Sequence, residues 1–151
     1  MKTIKELLDA KGDRPIHSVG PDDTVFVAVT KMVEMNIGAM LVMEGKKIKG
    51  IMTERDYLRF ITAQGQTARD TPVRELMTKK IIYVTPDTRV NEVMGIMTSE
   101  RIRHVPVLHD GDLLGIVSIG DVVKQISQDQ ELHIRTLEEY INDPYPGPAA
   151  S

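Results

Sequence analysis

The sequence predicts an α+β protein made of two β-α-β-β-α repeats that pack against each other with pseudo-twofold symmetry. Residues 16–61 align with residues 81–126 without a gap, at a constant spacing of 65 positions. In each copy, helically spaced apolar residues give way to two short apolar runs separated by a polar turn. A unit of about 46 residues buries its own apolar surface poorly, so the two copies are expected to pack together.

The first helix of each copy follows a Pro-Asp turn, at residues 21–22 and 86–87, after a short opening strand. Apolar side chains then recur at the i, i+3, i+4, i+7 spacing that lines one face of a helix. They are Val25, Ala28, Val29 and Met32 in the first copy and Val90, Val93, Met94 and Met97 in the second.

A hairpin and a second helix complete each copy. The apolar runs AMLVM (39–43) and KIKGIM (47–52) flank the polar turn EGK, and the second copy has HVPVL, HDGD and LLGIV in the same order. The closing helix is expected to begin near Thr53 in the first copy and near Ser118 in the second.

The segments outside the copies also predict helices. TIKELL has Thr3 and Glu6 at capping-box spacing, and TPVRELMTKK has Thr71 as a possible N-cap with Pro72 in the first turn. ELHIRTLEEYI is amphipathic, and NDPYPGPAAS is a Pro-rich end. The expected organisation is an N-terminal helix and lead-in (1–15), repeat 1 (16–61), a linker with a helix (62–80), repeat 2 (81–127), and a C-terminal helix and tail (128–151).

Composition argues against several classes of function. The net charge of −3 and the pI near 5.8 give no overall electrostatic reason to bind nucleic acid. No apolar run approaches the roughly 20 residues that span a bilayer, and no signal peptide is evident, so we expect a cytoplasmic protein without a membrane partner. The chain has no Cys, and its four His residues lack paired ligand spacing, so no metal site is expected.

Each copy ends its hairpin in a Gly, two apolar residues, a hydroxyl residue and, three positions later, an Asp. The stretches are GIMTERD (50–56) and GIVSIGD (115–121). Thr53 with Asp56, and Ser118 with Asp121, could cap a helix and do nothing else. They could also bind a ligand, because a carboxylate accepts hydrogen bonds from a ribose and a helix N-terminus favours a phosphate. The repetition favours capping together with ligand binding.

Two β-α-β-β-α copies that each end in this motif resemble the cystathionine-β-synthase (CBS) domain pair, also called a Bateman module. RIRHVPVL and GIVSIGDVV are similar to sequence motifs of that family, and the resemblance covers roughly residues 3–127. It implies a stand-alone regulatory module that senses AMP, ADP, ATP or NAD in clefts between the repeats. It also implies a homodimer that signals to a partner protein, whose identity the sequence does not reveal.

The resemblance assigns site residues in two clefts. Asp121 and Ser118 would act with Ile16, His17, Ile37, Gly38 and Ala39. Asp56 and Thr53 would act with Lys80, Ile81, Ile82 and Ile102. Arg103 and His104 occupy positions that the family often uses for phosphate, and Arg55 is included while Arg101 is left out. Gly38 and Ala39 stand where the second copy has Arg103 and His104, so the clefts should not be equivalent.

Other interpretations remain. Arg103 could be an ordinary solvated strand residue. The whole chain could be a ligand-free dimerisation module in which the hydroxyl-Asp pairs are structural only. An enzyme is disfavoured, because the sequence shows no nucleophile motif and no recognisable acid-base pair.

Overall fold

The structure is a computed structural model that describes residues 2–12, 16–63 and 65–142. Its elements are, in chain order, α1 (Ile4–Lys11), β1 (Ser18–Val19), α2 (Val25–Met35), β2 (Ala39–Glu44), β3 (Lys47–Thr53), α3 (Glu54–Ile61), a 3₁₀ turn (Val73–Glu75), α4 (Val90–Glu100), β4 (His104–His109), β5 (Asp112–Ser118) and α5 (Ile119–Asn142). The predicted α+β class and the order of elements in the first copy are confirmed.

The opening strand of the second copy is shorter than predicted. In the first copy, β1 pairs in parallel with β2 over two residues, whereas in the second copy only Val84 bridges to Val107. The Val84 N–H donates to Pro106 and its carbonyl accepts from Leu108, so a single residue satisfies the pairing there. The second sheet is therefore the hairpin β4–β5 alone.

The two hairpins have the same register. Both are antiparallel, and each has a register shift at the equivalent position, after Val42 in the first copy and after Val107 in the second. The pairs at the open ends are Ala39 with Thr53 and His104 with Ser118. Each hydroxyl residue of the motif therefore lies opposite the residue that enters its hairpin.

The segment that leads into each copy packs on the other copy. We call residues 2–12 the first lead-in and residues 71–80 the second lead-in. The equivalent backbone hydrogen bonds are Ile4 N–H to the Thr88 carbonyl at 2.8 Å and Val73 N–H to the Asp23 carbonyl at 2.7 Å. Ile4 and Leu7 belong to the core that contains Val90 and Val105, whereas Val73 belongs to the core that contains Val25 and Met40. Each core is thus completed by an exchanged segment.

The two lead-ins differ in conformation. The first forms α1 as predicted, with the Thr3 side chain accepting from the Glu6 N–H. The helix predicted over 71–80 is wrong, because only the 3₁₀ turn Val73–Glu75 forms. The Thr71 hydroxyl donates to the Thr67 carbonyl instead of capping, and Thr78 pairs with Ile51 along the edge of β3. Edge pairing requires an extended backbone, which a helix cannot supply.

The closing helix of the second copy and the predicted C-terminal helix are one continuous helix, α5, of 24 residues. Residues 131–138 of this helix are exposed. The Pro-rich end falls almost entirely on residues 143–151, which lie outside the described residues. None of the helices described is both long enough and apolar enough to cross a membrane.

Candidate functional site

A cleft of about 1040 Å³ brings together predicted residues from both copies. The first copy contributes Ile16, His17, Ile37, Gly38 and Ala39, and the second contributes His104, Ser118 and Asp121. We call it the Asp121 cleft. The structure therefore places next to Asp121 the same first-copy residues that the resemblance assigned to it, together with His104.

Asp121 is held at the start of α5 by two reciprocal hydrogen bonds. The Ser118 N–H donates to Asp121 Oδ2 at 2.9 Å, and the Asp121 N–H donates to Ser118 Oγ at 3.1 Å. These are the bonds of a helix cap, so the capping role predicted for this pair is present. Asp121 Oδ1 accepts none of the hydrogen bonds found within the described part of the chain.

Lys11, at the end of α1, forms an ion pair with Asp121. Its Nζ lies 2.9 Å from Asp121 Oδ2 and 3.1 Å from the Ile116 carbonyl oxygen, to which it also donates. Burial raises the pKa of Asp121, but the hydrogen bonds from Lys11 and Ser118 outweigh burial and hold that pKa below its ordinary value. Asp121 is therefore an ionised acceptor at neutral pH.

Lys11 is not among the site residues predicted from the sequence, although the sequence contains a signal for it. The first lead-in TIKELLDAK (3–11) aligns with PVRELMTKK (72–80) at a spacing of 69 positions, which places Lys11 on the predicted residue Lys80. Residues 12–15 have no counterpart in the second copy, so the match is lost at the spacing of 65 that aligns the rest. The first lead-in has to be aligned separately before Lys11 appears.

His104 lies beside Gly38 in the Asp121 cleft. A Cβ on Gly38 would lie 3.3 Å from His104 Cε1 and 3.2 Å from Glu54 Oε1, so a larger residue at position 38 would crowd both. Burial lowers the pKa of His104, although the charge of Glu54 acts in the opposite direction. His104 is therefore a neutral hydrogen-bonding group at pH 7, available as donor or acceptor.

Asp56 is in a different situation from Asp121. It is only 6% exposed and does not line the Asp121 cleft. Asp56 Oδ2 accepts from the Thr53 N–H at 2.9 Å and from Thr53 Oγ1 at 3.1 Å. Thr78 Oγ1 lies 3.2 Å from Oδ1 and 3.3 Å from Oδ2. Both carboxylate oxygens therefore have partners within the chain.

Thr78, which the sequence analysis did not single out, is held against β3 by close packing at Gly50. The Ile51 N–H donates to the Thr78 carbonyl at 3.0 Å, and the Thr78 N–H donates back at 2.8 Å. A Cβ on Gly50 would lie 2.8 Å from the Thr78 carbonyl oxygen and 2.7 Å from Met77 Sδ. Only glycine allows the second lead-in to approach β3 this closely.

The other predicted residues do not line the Asp121 cleft. Lys80, Arg55 and Arg103 are exposed, and Ile81, Ile82 and Ile102 are partly buried, with Ile102 packed against the core of the second copy. In the described ranges, no group of three or more His, Asp or Glu residues is arranged to hold a metal ion.

Comparison with known proteins identifies the family. The model of the CBS domain matches residues 4–63 and again residues 73–128. The chain belongs to the CBS domain family. The predicted CBS domain pair is therefore confirmed. The two matches begin inside the first and second lead-ins, so this CBS pattern includes the exchanged segments.

Similar proteins agree with this assignment. The CBS domain-containing protein CBSX3, mitochondrial, of Arabidopsis thaliana is 41% identical over 151 residues, covering 95% of this chain and 73% of that protein. The solved structure of a protein with CBS domains from Burkholderia ambifaria is 45% identical, with a TM-score of 0.82, and the match covers 85% of this chain and 96% of that one.

A more distant CBS domain pair, protein MJ0100, was solved in complex with 5′-methylthioadenosine and S-adenosyl-L-methionine. It is 22% identical with a TM-score of 0.74, over 85% of this chain and 98% of that one. At this level of identity, the likeness shows a shared fold.

Proposed function

We propose that this CBS domain pair is a regulatory module that binds one adenine nucleotide per chain, AMP, ADP, ATP or NAD, in the Asp121 cleft and signals to a partner protein. The observation that carries the proposal is the state of Asp121. Its carboxylate is ionised, its side chain is 23% exposed, and it lies in a cleft of about 1040 Å³, at the upper end of the size of ligand sites.

The chemistry of the cleft suits a nucleoside. Ribose hydroxyls are donors, and an ionised carboxylate is an acceptor with two oxygens. Ile16 and Ile37 offer apolar surface for a flat base, and Gly38 lets that base approach the backbone. Ser118 stands at the start of α5, a helix of 24 residues, where backbone N–H groups favour a phosphate.

The surroundings of Asp56 support a single site per chain. Asp56 is only 6% exposed, and both of its carboxylate oxygens accept hydrogen bonds from within the chain, so a ribose would have to displace the Thr78 hydroxyl to bond it. Asp121 is less buried, and its Oδ1 accepts none of the hydrogen bonds found among the described residues. The predicted second group around Asp56 is therefore proposed to be structural in this chain.

Fold-level likeness to protein MJ0100, whose solved complex contains two adenosine-bearing molecules, agrees with an adenosine ligand. The relatives described above are named as CBS-domain proteins, which agrees with a binding role rather than a catalytic one.

Calorimetric titration of AMP, ADP, ATP and NAD tests the proposal. We expect at least one of them to bind with about one site per chain, and Asp121→Asn to weaken that binding roughly 10- to 100-fold. A protein that binds none of the four at millimolar concentration would instead fit the ligand-free dimerisation module.

We also propose that the protein is a homodimer. Apolar side chains are exposed on the closing helices of both copies, with Leu58 at 59%, Ile61 at 55% and Val123 at 48% exposure. Burial of such side chains against a second copy would stabilise association. Light scattering should give twice the monomer mass of 16.9 kDa at micromolar concentration, and a monomer would refute this part of the proposal.

A further inference from the structure

Asp121 and Asp56 are at equivalent positions of the repeat, but different chemical groups donate hydrogen bonds to their carboxylates. Asp56 is bonded by the hydroxyl of Thr78, which is neutral and belongs to a segment paired along β3. Asp121 is bonded by the ammonium group of Lys11, which is charged and lies at the last residue of α1. Lys11 takes up Oδ2, one of the two oxygens that a ribose would use.

The Lys11–Asp121 ion pair is positioned to exchange partners. The two side chains are 21% and 23% exposed, so both reach solvent within the cleft. Lys11 has a flexible stem of four carbons, and its second acceptor is the Ile116 carbonyl. The ammonium group can therefore leave Asp121 by rotation of its own side chain, while the backbone of α1 stays packed on the second copy.

Leaving Asp121 has an electrostatic cost unless the ligand supplies a negative charge. When Lys11 leaves Asp121, its partly buried ammonium group loses an anionic partner, and a negatively charged group on the ligand can replace it. A phosphorylated ligand provides one, whereas adenosine offers only neutral acceptors.

We propose that Lys11 determines the ligand class of the Asp121 cleft by competing with the ribose for Asp121 and then pairing with a phosphate of the bound ligand. The cleft would thereby select phosphorylated adenosine over adenosine itself. This inference rests on the proposed function, since it concerns the same site.

The test compares the affinities of AMP and adenosine for the unmodified protein and for Lys11→Met, which keeps the apolar stem and removes the charge. Loss of a competitor should strengthen adenosine binding, and loss of a charge-assisted hydrogen bond should weaken AMP binding roughly 10- to 100-fold. The ratio of AMP affinity to adenosine affinity should therefore fall at least about tenfold. Lys11→Gln, which retains a donor without a charge, should show the same direction and serves if Lys11→Met does not fold.

Lys124→Met is the control. Lys124 is an exposed cation on α5 that does not line the Asp121 cleft, and it makes none of the ion pairs found among the described residues. Its loss should change the ratio less than about threefold, because exposed charges are strongly screened.

The outcomes separate the two claims. If the ratio of AMP affinity to adenosine affinity does not change in Lys11→Met, Lys11 does not select the ligand, although the proposed function stands. If neither compound nor the other nucleotides bind to the unmodified protein or to the variants, the proposed function itself fails.

Discussion

Replacing Asp56 and Asp121 by Asn, one at a time, should affect different properties. Asp56→Asn should destabilise the fold and leave nucleotide binding intact. Asp121→Asn should weaken nucleotide binding and change stability little. The two residues are equivalent in the sequence repeat, so the contrast between them comes from the groups that each carboxylate contacts in the structure.

The magnitude for Asp56 comes from its buried hydrogen bonds. Its carboxylate accepts from Thr53 and Thr78 at 2.9 to 3.3 Å while the residue is only 6% exposed. An amide has one acceptor oxygen in place of two and carries no charge, so Asp56→Asn loses charge-assisted hydrogen bonds in a buried position, at a cost of about 1–3 kcal/mol. In a chain of this size, 1 kcal/mol corresponds to roughly 2–4 °C, so the Tm should fall by about 2–12 °C.

The magnitude for Asp121 is smaller in stability and larger in binding. Its ion pair with Lys11 is partly exposed, at 21% and 23%, so its loss should cost about 0–1 kcal/mol. Loss of the charged acceptor should weaken nucleotide binding roughly 10- to 100-fold.

Thermal unfolding and calorimetric titration on the same samples provide the two readouts. Thr53→Ala is a useful companion, because it removes the hydroxyl partner of Asp56 and should destabilise the fold in the same direction. The reasoning would be refuted if Asp56→Asn weakened nucleotide binding as much as Asp121→Asn does, or if Asp56→Asn left the Tm unchanged.

Two further predictions concern packing and pH. Gly50→Ala should lower the free energy of unfolding by about 1–3 kcal/mol, because its Cβ would lie 2.8 Å from the Thr78 carbonyl oxygen. Gly115→Ala should cost less than about 1 kcal/mol, because its Cβ would meet only the side-chain end of Leu8, at 3.2 Å. Equal losses of the two variants in urea unfolding would contradict this. His104 has a folded-state pKa below its ordinary value of 6.5, so the unfolded state binds the proton first, and stability should fall as pH drops from 6.5 towards the folded pKa. His104→Gln should reduce the slope of Tm against pH in that window, and an unchanged slope would show that other groups cause it.

The repeated units could be predicted from the sequence because the regular spacing of their apolar residues indicates which side chains are buried. Val25, Val90 and Met97 are fully or almost fully buried at the helical positions that the spacing assigned to them. Thr53 is the N-cap of α3, and its capping box with Asp56 is complete. Local signals of this kind depend on nearby residues, so one sequence is enough to find them.

The parts that the sequence did not predict depend on contacts across the chain. The extended conformation at Thr78 is set by its pairing with Ile51, and the pairing of Lys11 with Asp121 joins residues 110 positions apart. Neither contact leaves a periodic signal in its own segment. The continuity of α5 was missed for a different reason. The sequence has no Gly or Pro between residues 122 and 142, and the predicted boundary between the closing helix and the C-terminal helix rested on the repeat length alone.

The exchange of the two lead-ins means that neither copy carries a complete core of its own. A chain cut between residues 63 and 71 would give one fragment holding Ile4, which fills the core of the other fragment, and a second fragment holding Val73, which fills the core of the first. Each fragment alone would expose apolar core residues that are buried when the two fragments associate. Association of the two fragments would therefore depend on the same contacts that stabilise the intact chain, and its strength would measure them.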